Sequence, residues 1–282
     1  MDGDGMSGYW APAPLASRPD QPGPLPPPAP CRRPLVLALV AVLVVVLAAG
    51  TVAVRRVQAA AVGEIFAVRQ DAPARAGWGP TYVDEQGRPA RWDPCQPISY
   101  VVQDGWIPAA GRSDLAEALR RLGGASGLEF VDEGDTDELP SRARAAYQPE
   151  RYGDRWAPLL LGWVPPAATD LGLGNGVQGI SLSVAVPGRT GPSLVSGQVV
   201  LDAGNRLAPG FGPGTTDGEV LLHELAHAVG LGHVLDPTQV MYPQTTNSES
   251  EFGAGDRAGL AALGAPAGCH PAPPARELRL AP

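Results

Sequence analysis

Hydrophobic and polar positions divide the chain into four stretches of unlike pattern. Residues 1–33 carry no apolar period, and PGPLPPPAP at 22–30 reads as a disordered, partly polyproline II tail. From Leu35 to Val54 the chain runs LVLALVAVLVVVLAAGTVAV without a charge. About twenty such residues suffice to cross a hydrocarbon core, so 34–54 is predicted as a transmembrane helix. A cleavable signal is the alternative reading, with Arg32 and Arg33 before the apolar run and Ala59 to Ala61 after it. Residues 55–80 have no strong pattern and read as a linker. Beyond them, 81–270 alternates strand-like and helix-like segments as one domain, and 271–282 is rich in Pro and reads as a loose tail.

Within the domain, strands are expected at Ile98–Gln103, Leu128–Val131, Leu159–Val164, Ile180–Val186 and Gln198–Asp202, each short and rich in β-branched, aromatic or Leu residues. A helix is expected after Ser113 as cap, with Leu115, Leu119 and Leu122 on one face and Gly123–Gly124 as its stop. A second begins at a capping box, Thr216 to Glu219. A third covers Gly255–Leu263, before Gly264 and Pro266. The fold class is therefore mixed α/β (α+β). LGLGNGVQG at 171–179 reads as a flexible loop, since no Lys follows it and no strand, turn and helix context makes it a phosphate cradle.

Composition adds little to this picture except by exclusion. Net charge is −8 and all 21 basic residues are Arg, so no basic patch invites nucleic acid. The acidic run DEGDTDE at 132–138 offers carboxylates for calcium, but without the ligand order of a known loop it reads as solvated. Arg18, Arg32 and Arg33 before the span balance Arg55, Arg56 and Arg69 after it, so basic residues do not orient it. Cys95 and Cys269 both follow the span. Their count suits one disulfide in an oxidising compartment, or else two free thiols, and places the domain on the extracytoplasmic side.

Histidine changes the picture most. Three of the four, His223, His227 and His233, fall in HELAHAVGLGH at 223–233. Four residues apart on a helix, His223 and His227 leave the same face and can share one ion. A straight helix would turn His233 away, so the helix must end before it, and Gly230 supplies the break. Three imidazoles leave a fourth position for water on one catalytic Zn²⁺. Glu224 projects beside the metal rather than onto it, where it can take a proton from zinc-bound water and pass it to a leaving amine.

HExxHxxGxxH followed by Met241 in VMYP (240–243) resembles the metzincin zinc peptidases, and within them the matrixins. That resemblance implies a twisted mixed five-stranded sheet, an active-site helix and a C-terminal helix. It also implies that Met241 floors the zinc site, that Tyr242 and Pro243 wall the pocket after the scissile bond, and that an edge strand, here Ile180–Val186, pairs with extended substrate. The chain departs from the matrixins at Val234, where they have Ser. It has no second His cluster, since only His270 is left over, and Cys31 in PAPCRRP is no cysteine switch. The expectation is a membrane-anchored zinc endopeptidase acting on proteins or peptides. A catalytically silent binding or envelope module on the same fold is the alternative.

Overall fold

A computed structural model describes residues 77–205, 207–244 and 251–276. The expected tail at 1–33, the expected span at 34–54 and most of the expected linker at 55–80 lie outside the described residues. Among the described residues no helix is long and apolar enough to cross a membrane.

Five strands, β1 (Ile98–Gln103), β2 (Phe130–Thr136), β3 (Leu159–Val164), β4 (Gly179–Gly188) and β5 (Gly191–Asp202), form one sheet in the order β2-β1-β3-β5-β4. All neighbours are parallel except β4 and β5, which form an antiparallel pair. LLLGWV in β3 is buried at every position because the strand is covered on both faces. Helices α1 (Gly111–Ser126) and α3 (Asp217–Ala228) bury Leu115, Leu119, Leu122, Leu221, Leu222 and Leu225 in the main core with β1, β3 and β5. The C-terminal helix α4 (Ala254–Leu263) adds Leu260 and Leu263, and α2 is a single turn at Pro149–Tyr152.

Several local expectations are corrected by non-local contacts. β2 starts later than Leu128 and runs through the acidic stretch to Thr136. As an edge strand it needs only β1's backbone, and its charged side chains face solvent. Several of those acids pair with arginines. Asp135 accepts from Arg112 at 2.5 Å, Glu133 from Arg155, Asp137 from Arg151, and the half-buried Glu138 from Arg144. Ser113 does not cap α1. Its hydroxyl donates to Ala110 O (2.7 Å), the helix begins at Gly111, and it passes through Gly123 and Gly124 to end at Gly127, left-handed at φ 71°.

The stretch 171–179 is irregular up to Gly179, as expected of a loop, but two of its residues anchor it to the sheet. Leu171 and Leu173 are buried with Val164 and Val200 against the sheet's other face, while Gly172, Gly174 and Gly176 take positive φ between them. Both ends of the domain reach further than expected. Gly77–Pro80 packs on the turn after α3, with Gly232 N–H donating to Gly79 O at 2.7 Å, and Pro273 O accepts from Trp156 Nε1 at 2.9 Å. A disulfide joins Cys95 to Cys269, with Cα atoms 5.3 Å apart.

Candidate metal centre and active site

α3 begins where Thr216 Oγ1 accepts the Glu219 amide at 3.2 Å. Its apolar stripe fixes the rotation of the helix, and this leaves His223, Glu224 and His227 along a cleft of about 820 Å³. The helix stops at Ala228. Gly230 then takes φ 107°, and a Cβ there would stand 2.9 Å from Ala90 O, so both conformation and space demand glycine. Gly232 passes close under the N-terminal strap, and His233 swings back toward the helix.

The three Nε2 atoms form a nearly equilateral triangle, 3.1 Å from His227 to each of the other two and 3.2 Å from His223 to His233. Two of the rings are fixed from behind. His223 Nδ1–H donates to Val240 O (2.7 Å) and His227 Nδ1–H to Leu231 O (2.6 Å). A carbonyl only accepts, so these Nδ1 atoms carry the protons and the neutral rings turn bare Nε2 lone pairs toward each other. Burial opposes protonation: it pushes His223 down to about 4 and holds His227 well below its ordinary value. Facing lone pairs at this distance repel unless a cation lies between them. Nitrogens about 2.0–2.1 Å from one tetrahedral zinc ion stand roughly 3.3 Å apart, which the triangle matches. The donor set therefore fits Zn²⁺, and the three histidines converge as a possible metal group.

Glu224 is buried, and burial alone pushes its carboxyl up to about 8. A cation held by the imidazoles would pull it back toward the ordinary carboxylate range. Its position depends on a residue that sequence reasoning assigned to a loop. Gly179 opens β4 against α3, and a Cβ there would stand 2.7 Å from Glu224 Cγ, 2.9 Å from Val220 Cγ1 and 3.0 Å from Glu224 Oε1. The available signal was a glycine directly before an alternating strand, which marks close approach of another element.

Met241 is fully buried, and its carbonyl accepts Val234 N–H at 3.0 Å, clamping the segment after His233 to the turn. That turn is held by Asp256 of α4, also missed, whose carboxylate accepts from Val240 N (2.8 Å), Met241 N (3.4 Å) and Gly253 N (3.0 Å). In sequence Asp256 is merely an acid in a helix's first turn. In space it fixes the carbonyl that holds His223, the kind of outer support metal-binding histidines receive. Trp92 Nε1 donates to Ala228 O (2.9 Å), closing the end of α3. Tyr242 and Pro243 line the cleft opposite β4.

His270 lies elsewhere. Its Nδ1 faces Thr190 Oγ1 (2.9 Å) and its Nε2 faces Pro192 O (3.0 Å), so it braces the β4–β5 hairpin.

Residues 182–263 match the Matrixin peptidase family model. The matched stretch runs from β4 through β5, α3 and the turn at Met241 to the end of α4. Over it the chain is similar to a matrixin metallopeptidase domain, from a family of zinc-dependent hydrolases. None of the curated proteins compared with the chain matches it.

Proposed function

We propose that the chain is a zinc-dependent endopeptidase that hydrolyses peptide bonds in proteins or peptides, with His223, His227 and His233 as metal ligands and Glu224 as the catalytic base. One observation carries this reading: three imidazoles bring their Nε2 atoms to a common point beside a buried carboxylate in an open cleft, and carbonyls behind His223 and His227 leave those two nitrogens unprotonated. Bound there, Zn²⁺ would acidify water and polarise a carbonyl. Glu224 takes the proton from the attacking water and returns it to the leaving amine, a role that needs a pKa near the working pH. Burial beneath Gly179 keeps its carboxylate from being solvated away. β4, the antiparallel edge strand, offers its free side to an extended substrate. Met241 floors the site, and Tyr242 and Pro243 wall the cleft beyond the scissile bond.

Full-length protein should hold about one equivalent of zinc and cleave unstructured protein. Glu224→Ala should lose on the order of 10³-fold in kcat while keeping its zinc. Undiminished turnover in that variant would sink the mechanism, and a zinc-loaded parent without turnover on a broad peptide library would favour a silent module.

The same reading places the domain on the extracytoplasmic face of a membrane, anchored through 34–54. The Cys95–Cys269 disulfide supports this, since such bonds persist in oxidising compartments. Protease added to intact cells should trim the domain, and protection would overturn the placement.

A further inference from the structure

The free edge of β4 is short, and one residue ends it. A Cβ on Gly197 of β5 would stand 2.7 Å from Leu182 O, so that carbonyl faces β5. Successive residues of an antiparallel strand turn their polar groups to opposite sides, which sends the Ser183 carbonyl outward. There it is already taken: Tyr82 Oη–H donates to Ser183 O at 3.3 Å. Immediately beyond, the β4–β5 register shifts between Val184 and Ala185, breaking the regular edge.

Tyr82 is firmly placed. Its ring packs against Ala90, Ala185 and Leu194, its carbonyl accepts Ala90 N–H (2.9 Å), and its neighbour Thr81 bonds both Gly230 O (2.7 Å) and Leu231 O (2.6 Å). The strap that carries it is thus tied to the turn between His227 and His233. At the other end of the edge, Gly179 lies against Glu224.

We infer that Tyr82 is a fixed stop on the cleft, limiting ordered binding to about three substrate residues on the N-terminal side of the scissile bond. This rests on the hydrolase reading above. Gly179 to Ser183 spans four steps of about 3.3 Å, room for about three residues between the base and the blocked carbonyl. A strand added antiparallel to β4, the more stable pairing, runs from the Tyr82 end toward Gly179, so its N-terminal part meets the stop. Residues beyond the third leave the edge without backbone partners, and selectivity there is lost.

The test is a length series in the full-length zinc protein, with one to six residues before the cleaved bond of a peptide it cuts. Here kcat/KM should climb to the third residue and then change less than about twofold. Tyr82→Ala should let the gain continue, by about fivefold from the third residue to the sixth. Zinc content and thermal unfolding check that this variant is folded, and the parent series decides without it. Continued gain past the third residue in the parent overturns the stop alone, as does an unchanged plateau in a folded Tyr82→Ala protein. No cleavage of any peptide removes the hydrolase reading. In that case affinity of the same peptides for Glu224→Gln protein still judges the stop, an absent plateau overturning it.

Discussion

The chain withdraws imidazoles from solvent in two places, the half-buried triad at 223–233 and the buried His270, and their likeness makes their difference instructive. In both, burial lowers the pKa and a backbone carbonyl accepts a ring proton. At His270 the second nitrogen meets Thr190, so the protein satisfies the ring completely. In the triad the second nitrogens meet only one another. Burial and an anchoring carbonyl therefore do not make a metal site; the unsatisfied nitrogen does.

The largest expected effects would break that comparison outright. His227→Ala should abolish stoichiometric zinc binding and cleavage together, because two ligands remain where three were needed. His270→Ala should keep its zinc and its cleavage but lose about 1–3 kcal/mol of stability, since Thr190 and Pro192 O lose a buried partner. Metal analysis alongside urea unfolding separates the two outcomes, and zinc loss from His270→Ala would show that the braced hairpin supports the site.

Chelation comes next. Metal bound only by the folded state raises the melting temperature by linkage, so removing zinc should lower it and adding zinc restore it. The same zinc-dependent increment is expected in His270→Ala protein and none in His227→Ala.

A smaller effect tests the site's other wall. Gly179→Ala places a methyl 2.7 Å from Glu224 Cγ, closer than the two can stand, and kcat should fall by about tenfold or more, with zinc content unchanged. An unaltered kcat would mean that the carboxylate is positioned by something else.

Acid titration gives the finest distinction. In metal-free protein His223 is held at about 4 against an ordinary 6.5, so on acidification the unfolded chain takes up protons first. Stability from the neutral ring is whole above about 6.5 and is lost as pH falls toward 4. Glu224 acts oppositely: with its carboxyl raised to about 8, its contribution is lost as pH rises from 4.5 toward 8. Urea midpoints of metal-free Glu224→Gln across this range should therefore show only the loss in acid.

Legibility in the sequence followed the range of the interactions. β1 and β3 were placed at their observed ends, because each is a short run rich in Ile, Val, Leu or aromatic residues. The Thr216 cap was equally clear, since cap and partner are three residues apart. β2 was misplaced because its acidic residues join the sheet through β1's backbone, which no side-chain pattern records. The cap at Ser113 failed because Pro108 and Ala110 begin the turn earlier.

The sequence by itself determined the donor set: two imidazoles one helical turn apart, an acid beside the first, and a glycine that lets the third return. Each is a local consequence of helix geometry and of glycine's freedom. Only the tertiary structure decided what stands around them. Gly179 gives Glu224 its place, Asp256 holds the carbonyl that orients His223, and Tyr82 meets β4 from 101 residues away. Those roles arise from contacts between elements brought together by burying the core, and a residue's neighbours along the chain carry no record of them.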